Sequence, residues 1–351
     1  MAREFHPLRV AAVERLCEDA VAVTFDVPEE LAGRYAFRPG QSLTVRRPDD
    51  GADERRSYSI CAADGERPRI GVREVPGGLI SRWLVHDLRP GDRVEVAPPS
   101  GTFTPDLDAG GRHVLVAAGS GITPVLSIAA SLLRRPGTQV GVLYGNRRAN
   151  TVMFAEELAD LKDAYPSRLE LVHLLSREAR EVELLSGRLD ATKLRTLLPL
   201  LVDVADVDHW WLCGPFGMVV DATGVLGELG VPPERIHREL FWVDEPPPEP
   251  LREERAPDGP STEVTVRLDG RASTVTVAAG DTVLEGAQRS RPDLPFACKG
   301  GVCGTCRARL VEGEVRMRRN FALEPGELAA GFVLTCQSTP VTATVVVDFD
   351  D

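Results

Sequence analysis

The chain has 351 residues, is 43% hydrophobic and 27% charged, and carries a formal net charge of −12 at pH 7. That length splits into two or three domains rather than one core, and the acidic balance argues against a main partner such as nucleic acid or an anionic membrane, which needs a basic face. The opening "MAREFHPLRVAAVERL" lacks the basic start and apolar run of a signal peptide, and no apolar run approaches a bilayer span, so a soluble, cytoplasmic protein is expected.

In chain order, residues 1–108 hold "AVAVTFDVP", "QSLTVRRP", "RSYSICAA", "RIGVREV" and "DRVEVAPP", short and partly alternating runs bounded by glycine or proline. Such evenly spaced strands predict an antiparallel β-barrel, with the helical spacing of "ISRWLVHDL" plugging one end. Residues 109–244 change rhythm. The strand patterns "RHVLVAAG", "QVGVLYG", "LELVHLLS", "HWWLCG" and "RIHRELF" alternate with helical stretches such as "ITPVLSIAASLLRR" and "FGMVVDATGVLGEL". This alternation predicts an α/β domain, a parallel sheet with helices on both faces and ligands at the carboxyl ends of its strands. "EPPPEPLREERAPDGP" (245–260) is rich in proline and charge and reads as a semi-stiff linker. Residues 261–351 then give a hairpin, "TEVTVRLDG" and "ASTVTVAAG", a helix, "DTVLEGAQRS", and a closing strand, "TATVVVDFD", an α+β unit.

Within that last unit, "CKGGVCGTC" and a later cysteine set the spacing C-x4-C-x2-C-x29-C over Cys298, Cys303, Cys306 and Cys336. Seven cysteines in a reducing compartment argue against a disulfide framework. Zinc ribbons supply paired C-x2-C knuckles, whereas this pattern has one such pair and a solitary fourth ligand. It is the plant-type 2Fe–2S spacing, with a zinc-stabilised interaction module as the rival. Gly300, Gly301 and Gly304 are expected to give the loop the backbone angles needed to wrap a cluster. Cys17 and Cys61 fall outside the pattern and read as core residues.

A 2Fe–2S centre accepts one electron, whereas a nicotinamide delivers two as hydride, so a flavin is expected between them. "GSGITP" (119–124) follows a strand and opens a helix, where Gly119 and Gly121 would let a pyrophosphate approach free N–H groups; "CGP" (213–215) repeats the arrangement at a later strand end. "LLSRE" ends the third strand of the sheet with Ser176 and Arg177 in place of a ribose-binding carboxylate, which suits the 2′-phosphate of NADPH. In the barrel, "RSYS" offers Arg56 for a pyrophosphate, Tyr58 for a flavin ring and Ser59 for its N5, although alternation puts Ser59 on the other strand face. "VPGGLIS" (75–81) is a further phosphate-friendly turn.

In this order, "RSYS", "GGLIS", "GSGITP", "CGP" and the cysteine spacing resemble the ferredoxin–NADP reductase superfamily with a fused plant-type ferredoxin domain, over nearly the whole chain. The resemblance implies FAD on the barrel, NADPH on the α/β domain and a β-grasp ferredoxin domain. It implies that Arg56, Ser57, Tyr58 and Ser59 hold the flavin, with Gly77, Gly78, Leu79 and Ser81 at its diphosphate. Thr123, Pro124, Cys213, Gly214 and Pro215 would flank the nicotinamide, with Glu239 and Phe241 closing over it. Tyr144, Asn146, Arg147, Ser176 and Arg177 would surround the NADPH ribose and phosphate. Ser59, Thr123, Cys213 and Glu239 are the implied catalytic set. The implied electron acceptor is an oxygenase, first a di-iron enzyme that epoxidises phenylacetyl-CoA, alternatively a steroid or aromatic-ring hydroxylase.

Overall fold

A computed structural model of the chain describes residues 5–49, 52–241, 261–323 and 325–351; the expected linker, 245–260, lies outside them. The described residues fall into two compact units. The larger comprises His6–Arg47 and Tyr58–Phe241; in the smaller, Phe5 and the stretch 52–57 join the C-terminal residues from 261 onward.

β1 (His6–Cys17), β2 (Ala20–Asp26), β3 (Ser42–Asp49), β4 (Ala52–Ser59), β5 (Arg69–Arg73) and β6 (Arg93–Val96) form one six-stranded sheet in the order β4-β3-β6-β1-β2-β5. An antiparallel bridge between Ile60 and Ile70 joins the chain just past β4 to β5, so the two edges of the sheet meet as a barrel requires. Its core is aliphatic, with Leu8, Val23, Leu43, Val45 and Ile70 fully buried. After α1 (Ala32–Tyr35), α2 (Leu79–His86) turns Ile80 and Leu84, one helical turn apart, into that core.

Next come β7 (Arg112–Ala118), α3 (Ile122–Leu133), β8 (Gln139–Asn146), α4 (Ala155–Ala164), β9 (Leu169–Leu175), α5 (Ala191–Leu201), β10 (His209–Gly214), α6 (Phe216–Glu228) and β11 (Ile236–Leu240). All five strands are parallel, in the order β11-β10-β7-β8-β9. The order reverses between β7 and β10, and open α/β sheets bind ligands at such a switch point. Ala20 and Ala22 of β2 and Cys61 just past β4 share one buried cluster with Leu115 and Trp211 of this sheet and Val125 of α3. Cys61 is therefore a core residue, and burial pushes its thiol up to about 12. Cys17 is only half-buried, its thiol donating to Asp19 Oδ1.

Across the same sheet, Trp211 stacks on His237 with ring centres 4.1 Å apart, and His209 Nδ1 lies 3.1 Å from His237 Nε2. Trp211 Nε1 can only donate, so His113 Nδ1 at 3.2 Å accepts and His113 Nε2 donates to Gly110 O. His113 is thus a neutral imidazole, and between His209 and His237 one ring donates and the other accepts. Burial, then the neighbouring His209 and His113, pulls His237 down to about 4 from its ordinary 6.5. The unfolded chain takes up this proton below 6.5 and the folded chain resists it, so the stability that the neutral His237 contributes is present above pH 6.5 and lost as the pH falls towards 4. Thermal melts are expected to show the midpoint dropping over this window, and His237→Gln removing about 2–4 °C of the drop, the shift due to roughly 1 kcal/mol in a unit of this size.

In the smaller unit, β12 (Ser261–Leu268), β13 (Arg271–Ala278), α7 (Val283–Gln288), β14 (Arg307–Glu312), β15 (Val315–Met317), α8 (Pro325–Ala329), β16 (Phe332–Leu334), β17 (Ser338–Pro340) and β18 (Thr344–Asp348) follow in order. The five-stranded sheet runs β13-β12-β18-β14-β16, with β12 and β18 parallel at its centre, a β-grasp arrangement; β15 and β17 pair separately. Thr282 and Glu285 close a capping box that starts α7. Arg55 is 4% exposed in this unit, donates to the carbonyls of Leu294 and Pro292, and lies against the Phe5 and Phe296 rings. No helix among the described residues is long and apolar enough to cross a membrane.

Candidate functional site

At the switch point, Gly119–Gly121 form a 3-10 turn between β7 and α3. Gly119 has φ +57°, and a Cβ on Gly121 would stand 2.1 Å from the carbonyl oxygen of Cys213, so this turn and the end of β10 touch through their backbones. The first turn of α3 has no side-chain cap. Thr123 is buried and donates to Ser120 O, and Pro124 is buried beside it. A Cβ on Gly71 of β5 would stand 2.4 Å from Thr123 Cγ2, so the barrel closes tightly over this turn.

The structure brings Ser59 and Cys213 to the Glu239 carboxylate, so three of the four residues expected to be catalytic lie together. Cys213 of β10 is paired in register with Glu239 of β11. Ser59 Oγ, 180 positions earlier, donates to Glu239 Oε2 at 3.1 Å, and Cys213 Sγ lies 4.0 Å from the same oxygen. Burial, with the Glu239 charge adding, pushes the Cys213 thiol well above its ordinary 9.0, so it stays protonated. The fourth, Thr123, heads α3 on the other side of the Gly121 contact. Gly214 packs closely, a Cβ there meeting Met218 Cε at 2.8 Å, while Pro215 is exposed at the start of α6 and Phe241 packs at the edge of the shared core.

Beside them, Tyr144 donates to Gly119 O at 3.0 Å. Asn146 is 7% exposed beside the Tyr144 hydroxyl, and by hydrogen-bond geometry neither Nδ2 nor Oδ1 is satisfied among the described residues. Buried carboxamides are normally satisfied, so this one fits a ligand group at the strand ends. Ser176 N–H and Arg177 N–H donate to the carbonyls of Asn146 and Arg147, which sets Ser176, Arg147 and Arg177 side by side. Both arginines are exposed, and among the described residues neither forms an ion pair. Glu178 is the nearest carboxylate in sequence, and it accepts from Ala149 N–H.

In the barrel, Ser59 is buried towards Glu239, whereas Tyr58 is half-buried against the barrel core and Arg56 is exposed and paired with Glu54 at 3.0 Å. Ser59 and Tyr58 thus differ in their surroundings, one facing Glu239 and the other the barrel core. Gly77 has φ +75° and open space where a Cβ would be; Gly78 begins α2, and Leu79 is 61% exposed at its first position. Ser81 is buried, with its hydroxyl accepting from Val75 N–H and donating to Gly78 O, so it builds the turn and leaves the open helix start to a ligand. Sequence reasoning passed over Arg73, whose guanidinium lies 3.4 Å from where a Gly119 Cβ would sit. Nothing in "VREVPG" marks that arginine.

In the smaller unit the four cysteines form two hydrogen-bonded pairs, Cys298 with Cys303 and Cys306 with Cys336. A 2Fe–2S core presents two metal positions with two thiolates each, so the donor set fits it. Within each pair the hydrogen bond makes one thiol easier to ionise: Cys303 is lowered to about 6 by Cys298, and Cys336 is lowered by Cys306. Gly300 N–H and Gln337 Nε2 donate to Cys298 Sγ and Cys336 Sγ. The expectation for the loop glycines needs one correction. Gly301 and Gly304 have positive φ, but Gly300 does not; the third left-handed position is Lys299 at +50°, braced by Gln337 Nε2 donating to its carbonyl.

Residues 7–104 match the oxidoreductase FAD-binding domain family, residues 115–223 the oxidoreductase NAD-binding domain family and residues 266–341 the 2Fe-2S iron-sulfur cluster binding domain family. The chain is 44% identical to one of the subunits of the 1,2-phenylacetyl-CoA epoxidase of Escherichia coli (strain K12), over 99% of this chain and 98% of that one. It is 34% identical to the ferredoxin reductase component of the 3-ketosteroid-9-alpha-monooxygenase of Rhodococcus rhodochrous, over 97% and 96%. Phthalate dioxygenase reductase, a solved modular structure for electron transfer from pyridine nucleotides to a 2Fe–2S centre, is similar with a TM-score of 0.64 at 25% identity over 98% of both chains. Fold and site define an electron-transfer oxidoreductase that combines nicotinamide, FAD and 2Fe–2S domains. The chain belongs to the ferredoxin-reductase family whose members carry a C-terminal 2Fe–2S domain.

Proposed function

We propose that this reductase oxidises NADPH in the cytoplasm and supplies an oxygenase, with the di-iron enzyme that epoxidises phenylacetyl-CoA as the favoured acceptor. The 44% identity over 99% of the chain to an epoxidase component supports the acceptor. When bound, FAD splits a two-electron delivery into single electrons that a 2Fe–2S centre can take. The protein supplies binding and orientation. Tyr58 gives an aromatic face, and the open start of α2 with Gly77, Gly78 and Leu79 gives a diphosphate site, with Arg56 and Ser57 on the same strand as Tyr58. Gly119, Gly121 and Gly214 let a dinucleotide approach backbone N–H groups. Thr123, the neutral Cys213 thiol, Pro215 and Phe241 form the walls that position a nicotinamide ring. Glu239, held by Ser59 Oγ–H, fixes the polar side of that pocket.

The observation that carries this reading is the convergence of Ser59 and Cys213 on Glu239, because it joins a barrel strand to the switch point of the sheet. Coupled assays test the acceptor: NADPH consumption matched by epoxidation of phenylacetyl-CoA supports the proposal, and coupling only to a steroid hydroxylase contradicts it. Arg147 and Arg177 stand beside Ser176 where a 2′-phosphate would lie. An Arg147→Ala, Arg177→Ala double variant is expected to lose about 10- to 100-fold in kcat/KM for NADPH, from charge-assisted bonds of roughly 1.5–3 kcal/mol, with little change for NADH.

A further inference from the structure

We propose that Arg316, Arg318 and Phe321 form the docking surface for an electron acceptor whose own metal centre is ringed by acidic residues. The proposal rests on the reading of the chain as an oxygenase reductase. The segment lies against the cluster loop. Arg318 N–H donates to Gln337 O, next to Cys336, and Phe321 N–H donates to Gly301 O, between Cys298 and Cys303. Met317 Sδ accepts from Leu334 N–H, two residues before Cys336. A protein seated on this rim is therefore close to the sulfur ligands.

Its chemistry is unlike the rest of the chain. Net charge is −12, yet three arginines and no carboxylate lie between Glu314 and Glu324. Arg316 and Arg318 are exposed, and among the described residues neither side chain has an ion pair or hydrogen bond. Phe321 is 39% exposed beside them. The like charges of Arg316 and Arg318, held close and exposed, cost folding energy and contribute nothing to the core. An exposed aromatic with flanking arginines is instead the composition of interface hot spots. A local cationic patch on an anionic chain steers an acidic partner and sets its orientation. A second copy of this chain is also acidic, but it would cover the rim and place no acceptor there.

The test uses the full-length holoprotein and, as acceptor, the Escherichia coli epoxidase without its own component that is 44% identical to this chain. NADPH-dependent ferricyanide reduction and the cluster's EPR signal are expected to be unchanged in the Arg316→Glu, Arg318→Glu double variant. Its KM for the acceptor is expected to rise about tenfold, and the fall of wild-type kcat/KM with salt is expected to flatten. Phe321→Ala should raise KM while keeping the salt slope. Unchanged KM and salt slope in the charge-reversed protein would overturn the proposal. So would a wild-type dimer that the double variant dissociates with KM unaltered, which would assign the patch to self-association. A wild-type protein active on ferricyanide but passing no electrons to the epoxidase removes the oxygenase reading and this proposal with it.

Discussion

A Cys306→Ala variant is expected to lose the visible absorbance of the cluster and to reduce one-electron protein acceptors more slowly by at least on the order of 100-fold, while NADPH-dependent ferricyanide reduction stays near wild type. Cys306 is 3% exposed and paired with Cys336, so its removal takes one of two ligands from one metal position and leaves the other thiol without its partner. The surrounding loop aims donors at the sulfurs. It runs through left-handed positions at Lys299, Gly301 and Gly304, and much of its bracing is directed at sulfur. Binding energy of a structural metal centre is folding energy. The smaller unit is therefore expected to melt earlier in this variant, with the transition of the larger unit unmoved. Calorimetry of the two proteins side by side checks this.

Gly121→Ala is expected to lower NADPH oxidation by about 100-fold or more while flavin and cluster contents remain normal. The added Cβ would lie 2.1 Å from Cys213 O, 2.5 Å from Cys213 C and 2.8 Å from Gly214 N, and all three are backbone atoms that cannot rotate away. Overpacking of this kind costs about 1–3 kcal/mol, and relief requires the end of β10 to move. That movement carries Cys213 away from Glu239 and opens the crevice. Gly224 in α6 provides the contrast. Nothing stands within 4 Å of a Cβ there, so Gly224→Ala should leave activity intact and stabilise by roughly 0.5–1 kcal/mol through helix propensity. Stopped-flow flavin reduction and thermal melts of the two variants separate the effects.

Much of this architecture is legible in the residues because its signals are local. The strands "RHVLVAAG", "QVGVLYG" and "HWWLCG" are continuous apolar runs, as a doubly covered parallel sheet demands, and they emerge as β7, β8 and β10. The cysteine spacing fixes the cluster because three of its four ligands lie within nine residues. What was missed is irregular or distant. β1 has register shifts between Val10 and Ala12 and between Arg15 and Cys17, which break the period-2 pattern. β15, β16 and β17 have three residues each, too few to show a period. The Ile60–Ile70 closure, the burial of Arg55 and the place of Arg73 beside Gly119 depend on tertiary packing. The Ser59–Glu239 contact spans 180 positions; Glu239 was expected near the site through family resemblance, since "HRELF" offers no motif of its own.

Anaerobic titration of the purified protein with NADPH, followed by absorbance and EPR, reaches the central point most directly. Bleaching of a flavin band together with the growth of a reduced-cluster signal, in a protein holding iron and acid-labile sulfide in equal amounts, is the predicted result. A colourless protein containing zinc, or a flavin that NADPH reduces while the cluster stays oxidised, would contradict the account.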